Sequence, residues 1–279
     1  PEEILKKYGA DILRVWVAAS NYAEDLRIDY SILEQHAEAY RKIRNTFRYI
    51  LGNLNDKFSE KDFTQIDVKK LPELEQYMLH KISILNENFH KNFDNYTFHN
   101  LYKELLNFCT VDLSAFYFDI RKDVIYCDGK KSKIRRSART LLEIIFNYLV
   151  RWLAPSLSFT TEEAWKAMGN QTSIHLEDFL HTPAKYENLK INENWKIIKQ
   201  IRKVITGALE IKRAEKLIGS SLEAHVDIYV DSETLEKIKN YPLDEISITS
   251  SFSLHVLTND SQGFSLEDVA DIKIVVSKT

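Results

Sequence analysis

The stretch Tyr40-Arg-Lys-Ile-Arg-Asn-Thr-Phe-Arg-Tyr-Ile-Leu-Gly-Asn-Leu-Asn-Asp56 indicates both how the chain folds and what it binds. On a helix that turns about 100° per residue, its apolar side chains fall on one face. The flank beside that face carries Arg41, Arg44, Asn45 and Arg48. The apolar face predicts packing in a helical core, and the planar guanidinium groups suit phosphates or base edges. A solvent-exposed flank whose arginines pair with neighbouring acids would show the same pattern.

The composition is that of an ordinary globular protein with a helical bias. Of the 279 residues 44% are hydrophobic and 28% are charged, with only 7 glycines and 5 prolines. The formal net charge is −3, so any binding of nucleic acid must come from local basic patches. We expect a cytoplasmic, monomeric protein without a membrane span, and the start at Pro1 suggests a piece of a longer chain.

A helical period continues to about residue 170 and predicts a bundle of antiparallel helices. Within it, Ser31 is expected to cap the helix that contains the opening stretch, and 123–129 is expected to form a turn. The segment Cys109–Phe118 is apolar on nearly every side and should lie deep in the core. Its one carboxylate, Asp112, should meet an arginine or backbone donors, because an unpaired buried charge is costly.

A second basic run, Gly129–Arg139, contains no acid and opens a strongly apolar helix. It is not a phosphate-binding P-loop, because the upstream glycine and its spacing are missing. The candidate contacts with a polyanion in this run are Lys133, Arg135, Arg136 and Arg139.

The tail of the chain has a different pattern. A long helix with a basic side is predicted from residue 193 to 217, and Gly219 should stop it. Alternation of apolar and polar residues then predicts strands, one of them around Ile246 and Ile248, with short helices at 232–240 and 265–269. The fold class is therefore mainly α, a helical bundle followed by a small α/β unit.

No catalytic signature stands out from the residues alone. GxGxxG, HExxH, GxSxG and EF-hand patterns are absent, and the eight histidines are scattered. The two cysteines, Cys109 and Cys127, are too few for a disulfide framework or a four-cysteine zinc site, and we interpret them as reduced thiols. These patterns favour a helical module that binds nucleic acid over a self-contained enzyme.

Five stretches, which occur in the family's order and span most of the chain, resemble the bacterial isoleucyl-tRNA synthetases, a family of class I aminoacyl-tRNA synthetases. They are Lys7–Trp16, Ala39–Arg48 with Leu51–Asp56, Val111–Asp123 with Tyr126–Asp128, Leu153–Trp165, and Lys216–Ala224.

The resemblance implies a C-terminal fragment that starts after the KMSKS loop, so the catalytic and editing domains would lie upstream. It divides the chain into stem-contact helices (residues 1–30), an anticodon-binding helical bundle (31–175) and a long basic helix with a small α/β junction domain (176–279). The fragment itself is expected to hold no cofactor and no metal. ATP and magnesium would serve the parent enzyme, an isoleucine–tRNA ligase, and the family's zinc module would lie outside this chain.

The implied partners are an isoleucine-specific tRNA and the missing domains of the same polypeptide. Charge and periodicity select the contacts: arginines and lysines for phosphates, and Asn45 with Trp165 for unstacked bases. The basic side of residues 196–216 is a second candidate surface. Two alternatives stay open, the same module of a valyl- or leucyl-tRNA synthetase and a helical scaffold for acidic proteins.

Overall fold

The computed structural model describes residues 2–54 and 67–279, and it divides the chain into two compact units, with the boundary in the chain after Asn188. The predicted class is confirmed: the first unit is helical and the second is a small α/β unit. The functional limits at residues 30 and 175 stay predictions. Most of the polar loop that the sequence suggests after Leu54 lies outside the described residues.

The first unit consists of eight α-helices and one π-helix within the described residues, joined by short 3₁₀ turns. Their bounds are α1 Glu2–Tyr8, α2 Ala10–Ala19, α3 Tyr30–Leu54, α4 Glu73–Asp94, α5 Phe98–Asn107, the π-helix Phe108–Phe118, α6 Asp119–Cys127, α7 Lys133–Leu153 and α8 Ser158–Ala167.

The core of this unit lies between α3, α4 and α7. Ile43, Phe47 and Ile50 of α3 are buried, as the opening stretch predicts, and Phe47 meets Phe146 of α7 edge-on with ring centroids 6.1 Å apart. The long apolar face of α7 is buried from Ala138 to Leu153, whereas Ile134 in the first turn is exposed. Burying side chains of this size stabilises the fold by about 1.5–3 kcal/mol each.

The structure differs from the sequence-based predictions at two helix ends. The cap of α3 is Asp29, not Ser31, because its carboxylate accepts hydrogen bonds from the Ile32 amide (2.8 Å) and the Ser31 hydroxyl (2.7 Å). These hydrogen bonds lower the pKa of the Asp29 carboxyl. The expected turn at 123–129 is also wrong, since α6 continues to Cys127.

The segment from Phe108 to Phe118 forms a π-helix of eleven residues. Most π-helices are single turns, and they occur frequently at functional sites. The segment is only partly buried, contrary to the expectation, because Val111, Ser114 and Ala115 face outward. Asp112 is buried and pairs with Lys81, at 3.5 Å, where an arginine or backbone donors had been expected.

A charged cluster that the sequence did not reveal joins α4 to the following helices. Glu75 is fully buried and receives two hydrogen bonds from Arg121, at 2.6 and 2.9 Å, and one from the Tyr117 hydroxyl at 3.1 Å. The bidentate geometry satisfies both carboxylate oxygens, which a buried acid requires. Burial is the main cause that raises the pKa of Tyr117, so it stays a neutral donor.

The first two helices are fastened to the bundle by polar contacts. Gly9, with φ of 82°, separates α1 from α2. Asp11 caps α8, because its carboxylate accepts from the Thr160 amide (2.8 Å) and hydroxyl (2.6 Å). Arg14 donates to the backbone carbonyls of Pro155 and Ser156.

The second unit contains one long helix and a four-stranded mixed sheet among its described elements. Their bounds are α9 Leu189–Ala214, β1 Ala224–Val230, α10 Ser232–Ile238, α11 Leu243–Ser247, β2 Ser251–Val256, β3 Phe264–Leu266 and β4 Val269–Lys278. The strand order is β2-β1-β4-β3, with β1 and β2 parallel and the other pairs antiparallel.

Three predictions for this unit are wrong. Helix α9 ends before Gly219, in a Schellman motif with Lys216 in the left-handed region (φ 58°) and a 3.0 Å bond from Leu217 N to Lys212 O. Ile246 lies in the short helix α11 and not in a strand. It is apolar because this helix buries it in the core. The expected helix at 265–269 is instead the end of β3, a two-residue turn and the first residue of β4.

Candidate nucleic-acid interface

The arginines of α3 lie on its exposed flank, as the helical period predicts. Arg41 pairs with Glu38 on the same helix, and Arg44 pairs with Glu163 of α8 at 3.5 Å. Arg48 is exposed, and its side chain has no partner among the described residues. The exposed pairs are weak and screened by salt, so a polyanion can displace the acids at small cost.

A second row on α3 points to a neighbouring groove. Lys42, Asn45 and Tyr49 follow each other at three and four residues, which places them on one side of the helix. The side chains of Lys42 and Asn45 are exposed and have no partner within residues 2–54 and 67–279. Asn45 lies at the border between this row and the arginine flank.

The second predicted basic cluster lies at the start of α7. Ser132 caps this helix by accepting from the Arg135 amide at 3.3 Å, and Lys133 is exposed. Arg135 is half-buried and donates to the carbonyl of Ile125 in α6 at 3.1 Å, and Arg136 is also half-buried and partnered. Cations at a helix N-terminus oppose the macrodipole and cost stability, so an anionic ligand explains the exposed Lys133, whereas Arg135 already has a structural contact.

Two of the predicted contact residues require correction because they lie in the core. Arg139 is 1% exposed, so its guanidinium does not reach the surface. Trp165 is 5% exposed, its ring lies parallel to Phe146, and its indole nitrogen donates to the Thr172 carbonyl at 3.1 Å. The Arg151 guanidinium lies 4.8 Å from the centre of the same ring. In this structure neither residue is available to a tRNA.

Between α3 on one side and the π-helix with α6 on the other lies a groove of about 860 Å³, which we call the π-groove. The α3 side presents Lys42, Asn45 and Tyr49, and the opposite side presents Ser114, Lys122 and Tyr126. Tyr49 stacks on Phe118, with ring centroids 4.1 Å apart. Polar, cationic and aromatic groups therefore line one depression beside the arginine flank.

The groove also connects the two predicted basic clusters. Tyr126 meets Tyr49 of α3 edge-on at 6.3 Å, and the preceding residue, Ile125, receives the hydrogen bond from Arg135 of α7. Sequence reasoning missed Lys42, Lys122 and Tyr126 as candidates. The spacing of Lys42 from Asn45 could have indicated the first, whereas Tyr126 faces the groove only because α6 extends past the expected turn.

The basic side of α9, in the second unit, is largely neutralised. Lys196 pairs with Glu193 (2.7 Å), Lys203 pairs with Asp268 (2.6 Å), and Lys212 pairs with Glu215 (2.9 Å). Arg202 donates to the Ile246 carbonyl at 2.9 Å, which is an internal contact. These exposed pairs are as weak as those of α3, so they do not exclude this surface, whereas Arg202 is withdrawn from it by an internal contact.

The described residues contain neither a metal-binding cluster nor a membrane-spanning helix. No group of three histidine, cysteine, aspartate or glutamate side chains is arranged there to hold a metal ion. No helix in the same part of the chain has the length and apolar character that crossing a membrane needs.

Comparison with known proteins shows which family this chain belongs to. Residues 75–228, more than half of the chain, match the family model described as the anticodon-binding domain of tRNA ligase. The chain belongs to this family of anticodon-binding domains. The matched region includes α4 to α9, and with them the π-helix, Tyr126 and the basic start of α7.

The relatives with high sequence identity are isoleucine–tRNA ligases. The chain is 58% identical over 261 residues to the isoleucine–tRNA ligase of Pelagibacter ubique, an alignment that covers 93% of this chain and 29% of that protein. It is 43% identical to the isoleucine–tRNA ligase of Ruegeria pomeroyi, over 99% of this chain and 28% of the relative. The chain thus spans less than a third of the length of these relatives.

Among solved structures, the chain is similar to LeuRS from Agrobacterium radiobacter K84, in a ternary complex with tRNA and LeuAMS. The TM-score is 0.47 and the sequence identity 13%, over 94% of this chain and 30% of the other.

Proposed function

We propose that this chain is the part of an isoleucine–tRNA ligase that binds the anticodon stem and loop of an isoleucine tRNA. The supporting observation is the exposed basic surface of α3 and the start of α7, in a chain that belongs to the anticodon-binding family. We call Arg41, Arg44, Arg48 and Lys133, with the half-buried Arg135 and Arg136, the basic surface.

In this proposal the basic surface holds the phosphates, which fixes the position of the RNA without reading its sequence. Discrimination comes from groups that contact unstacked bases of the loop. Of the two residues that the sequence suggests for base contacts, Asn45 remains a candidate, because its amide is exposed next to Arg44 and Arg48.

The chemistry would take place elsewhere in the longer protein, in the cytoplasm. There the ligase would join isoleucine to its tRNA with ATP and magnesium, and a zinc module, where one is present, would also lie outside this chain. The fragment, acting as a monomer, would hold one end of the tRNA while the catalytic and editing domains act on the other.

Binding measurements with the purified chain test this proposal. Fluorescence anisotropy would compare an isoleucine tRNA with a non-cognate tRNA between 50 and 300 mM salt, about the range in which phosphate contacts weaken strongly. The proposal predicts tighter binding of the cognate tRNA and an affinity that falls with salt. Absence of tRNA binding at every salt concentration contradicts it and favours a helical scaffold instead.

A further inference from the structure

The π-groove has a lining that suits one flat, polar, aromatic ligand. Its aromatic group at the rim is Tyr126, which is 65% exposed although it packs edge-on against Tyr49. An aromatic side chain so open to solvent offers a surface for stacking, and every nucleobase has a π-face that can use it.

The opposite side of the groove offers hydrogen bonds. The Asn45 amide carries two donors and one acceptor, none of them used by a described residue. Next to it, the hydroxyl of Tyr49 is buried and has no hydrogen-bond partner in the described chain. Buried polar atoms usually have a partner, so this hydroxyl would gain a hydrogen bond if the groove opened enough for a ligand atom or a water to reach it.

Cations flank the two sides of the groove. Lys42 is exposed and without a described partner, whereas Lys122 pairs with Asp119 at 2.9 Å and stays partly open to solvent. The arginine flank of α3 continues the positive charge beyond the groove. A nucleotide combines a flat base with an adjacent phosphate and matches this arrangement, whereas an acidic peptide would use the cations but not the exposed ring.

We propose that the π-groove binds a single unstacked nucleobase of the RNA loop, and this rests on the proposed function. Tyr126 stacks on the base, Asn45 hydrogen-bonds its polar edge, and Lys42 holds the adjoining phosphate. The π-helix creates the site, because it carries Ser114 and Phe118 along one wall and joins directly to α6, which carries Tyr126.

The experiment uses the whole chain and an isoleucine tRNA in which each anticodon-loop nucleotide in turn is replaced by an abasic site. For the unaltered protein, one abasic position should weaken binding about 5- to 100-fold, the range expected when a base loses its aromatic partner. Tyr126→Ala should weaken binding of intact tRNA by a similar factor. With this variant the same abasic position should have no further effect, whereas Tyr126→Phe should behave as the unaltered protein does.

Asn45→Ala provides a second measurement, and the groove on the other side of the π-helix provides a matched control. Asn100 lines that other groove, between α4 and α5, so Asn100→Ala should leave tRNA affinity and its dependence on each base unchanged. Thermal unfolding would show that all variants are folded, as expected for exposed side chains.

The outcomes separate the two proposals. If intact tRNA binds in a salt-dependent manner but no abasic position is coupled to Tyr126 or Asn45, the base site is wrong and the proposed function stands. If the unaltered chain binds no tRNA, both proposals fail.

Discussion

At the scale of single residues, acidic side chains already occupy part of the candidate RNA-binding site. Each of the two arginines at the N-terminal end of the α3 flank faces an acid, Glu38 for Arg41 and Glu163 for Arg44. An RNA phosphate must displace these carboxylates before it pairs with the guanidinium groups. The acids therefore lower the affinity for RNA, although each exposed pair contributes only about 0–1 kcal/mol.

Glu163→Gln should tighten tRNA binding about 2- to 5-fold at low salt, since it frees Arg44 from an exposed pair worth up to about 1 kcal/mol. Anisotropy titrations with isoleucine tRNA would measure the change. Glu236→Gln is the matched control, because Glu236 makes a comparable exposed pair with Lys239 at the end of α10, in the second unit. An unchanged or weaker affinity for Glu163→Gln would show that Arg44 does not contact the RNA.

Arg44→Glu should act in the opposite direction and weaken tRNA binding without unfolding the bundle, because Arg44 is exposed. A plot of log affinity against log salt should become less steep, its slope decreasing in magnitude by about 0.7–0.9 if one phosphate contact is lost. Circular dichroism would check the fold. A variant with the parental affinity and salt slope would remove Arg44 from the contact set.

At the scale of helices, the cluster of Glu75, Arg121 and Tyr117 holds α4 to the π-helix and α6. Arg121→Met should lower the free energy of unfolding by about 3–5 kcal/mol, because Glu75 is left as a buried charge without its partner. The double variant Glu75→Leu/Arg121→Met should recover much of that loss.

Urea unfolding measures both variants. If the double variant is no more stable than Arg121→Met alone, the uncompensated carboxylate is not the cause of the loss.

The two thiols differ in burial, and therefore in expected reactivity. Burial raises the pKa of the Cys109 thiol to about 12, whereas Cys127 is exposed at the end of α6. The thiolate is the reactive species, so at pH 8 a thiol reagent should modify Cys127 quickly and Cys109 only after unfolding. Mass spectrometry of the alkylated chain would assign the sites. Equal rates for both thiols in the native protein would contradict the burial of Cys109.

At the scale of the whole molecule, periodicity was sufficient to predict the helical bundle and the α/β tail. It failed where tertiary contacts decide the conformation. Ile246 has the spacing of a strand residue but packs from a helix, and α9 stops at a left-handed lysine rather than at a glycine. The exposed flank of α3 followed directly from the sequence, because a helix that is buried on one face must present the other.

The interface was harder to predict than the fold, since burial depends on the packing of distant segments. Arg139 and Trp165 have the residue types of nucleic-acid contacts, yet α7 and α8 carry them into the core. Tyr126 has no sequence signal of its own, and it becomes a candidate only because the π-helix and α6 place it across the groove from Lys42 and Asn45 of α3.

Site-specific crosslinking tests the central claim, that α3 presents its flank to the anticodon arm, most directly. A photoreactive amino acid would replace Arg48, which is exposed and has no described partner, and the crosslinked nucleotide of an isoleucine tRNA would be mapped. The same group at Lys103, on α5, is the control. Crosslinks from position 48 to the anticodon stem or loop, with few from position 103, are the predicted result. Crosslinks confined to the acceptor arm, or equal yields from the two positions, would contradict the account.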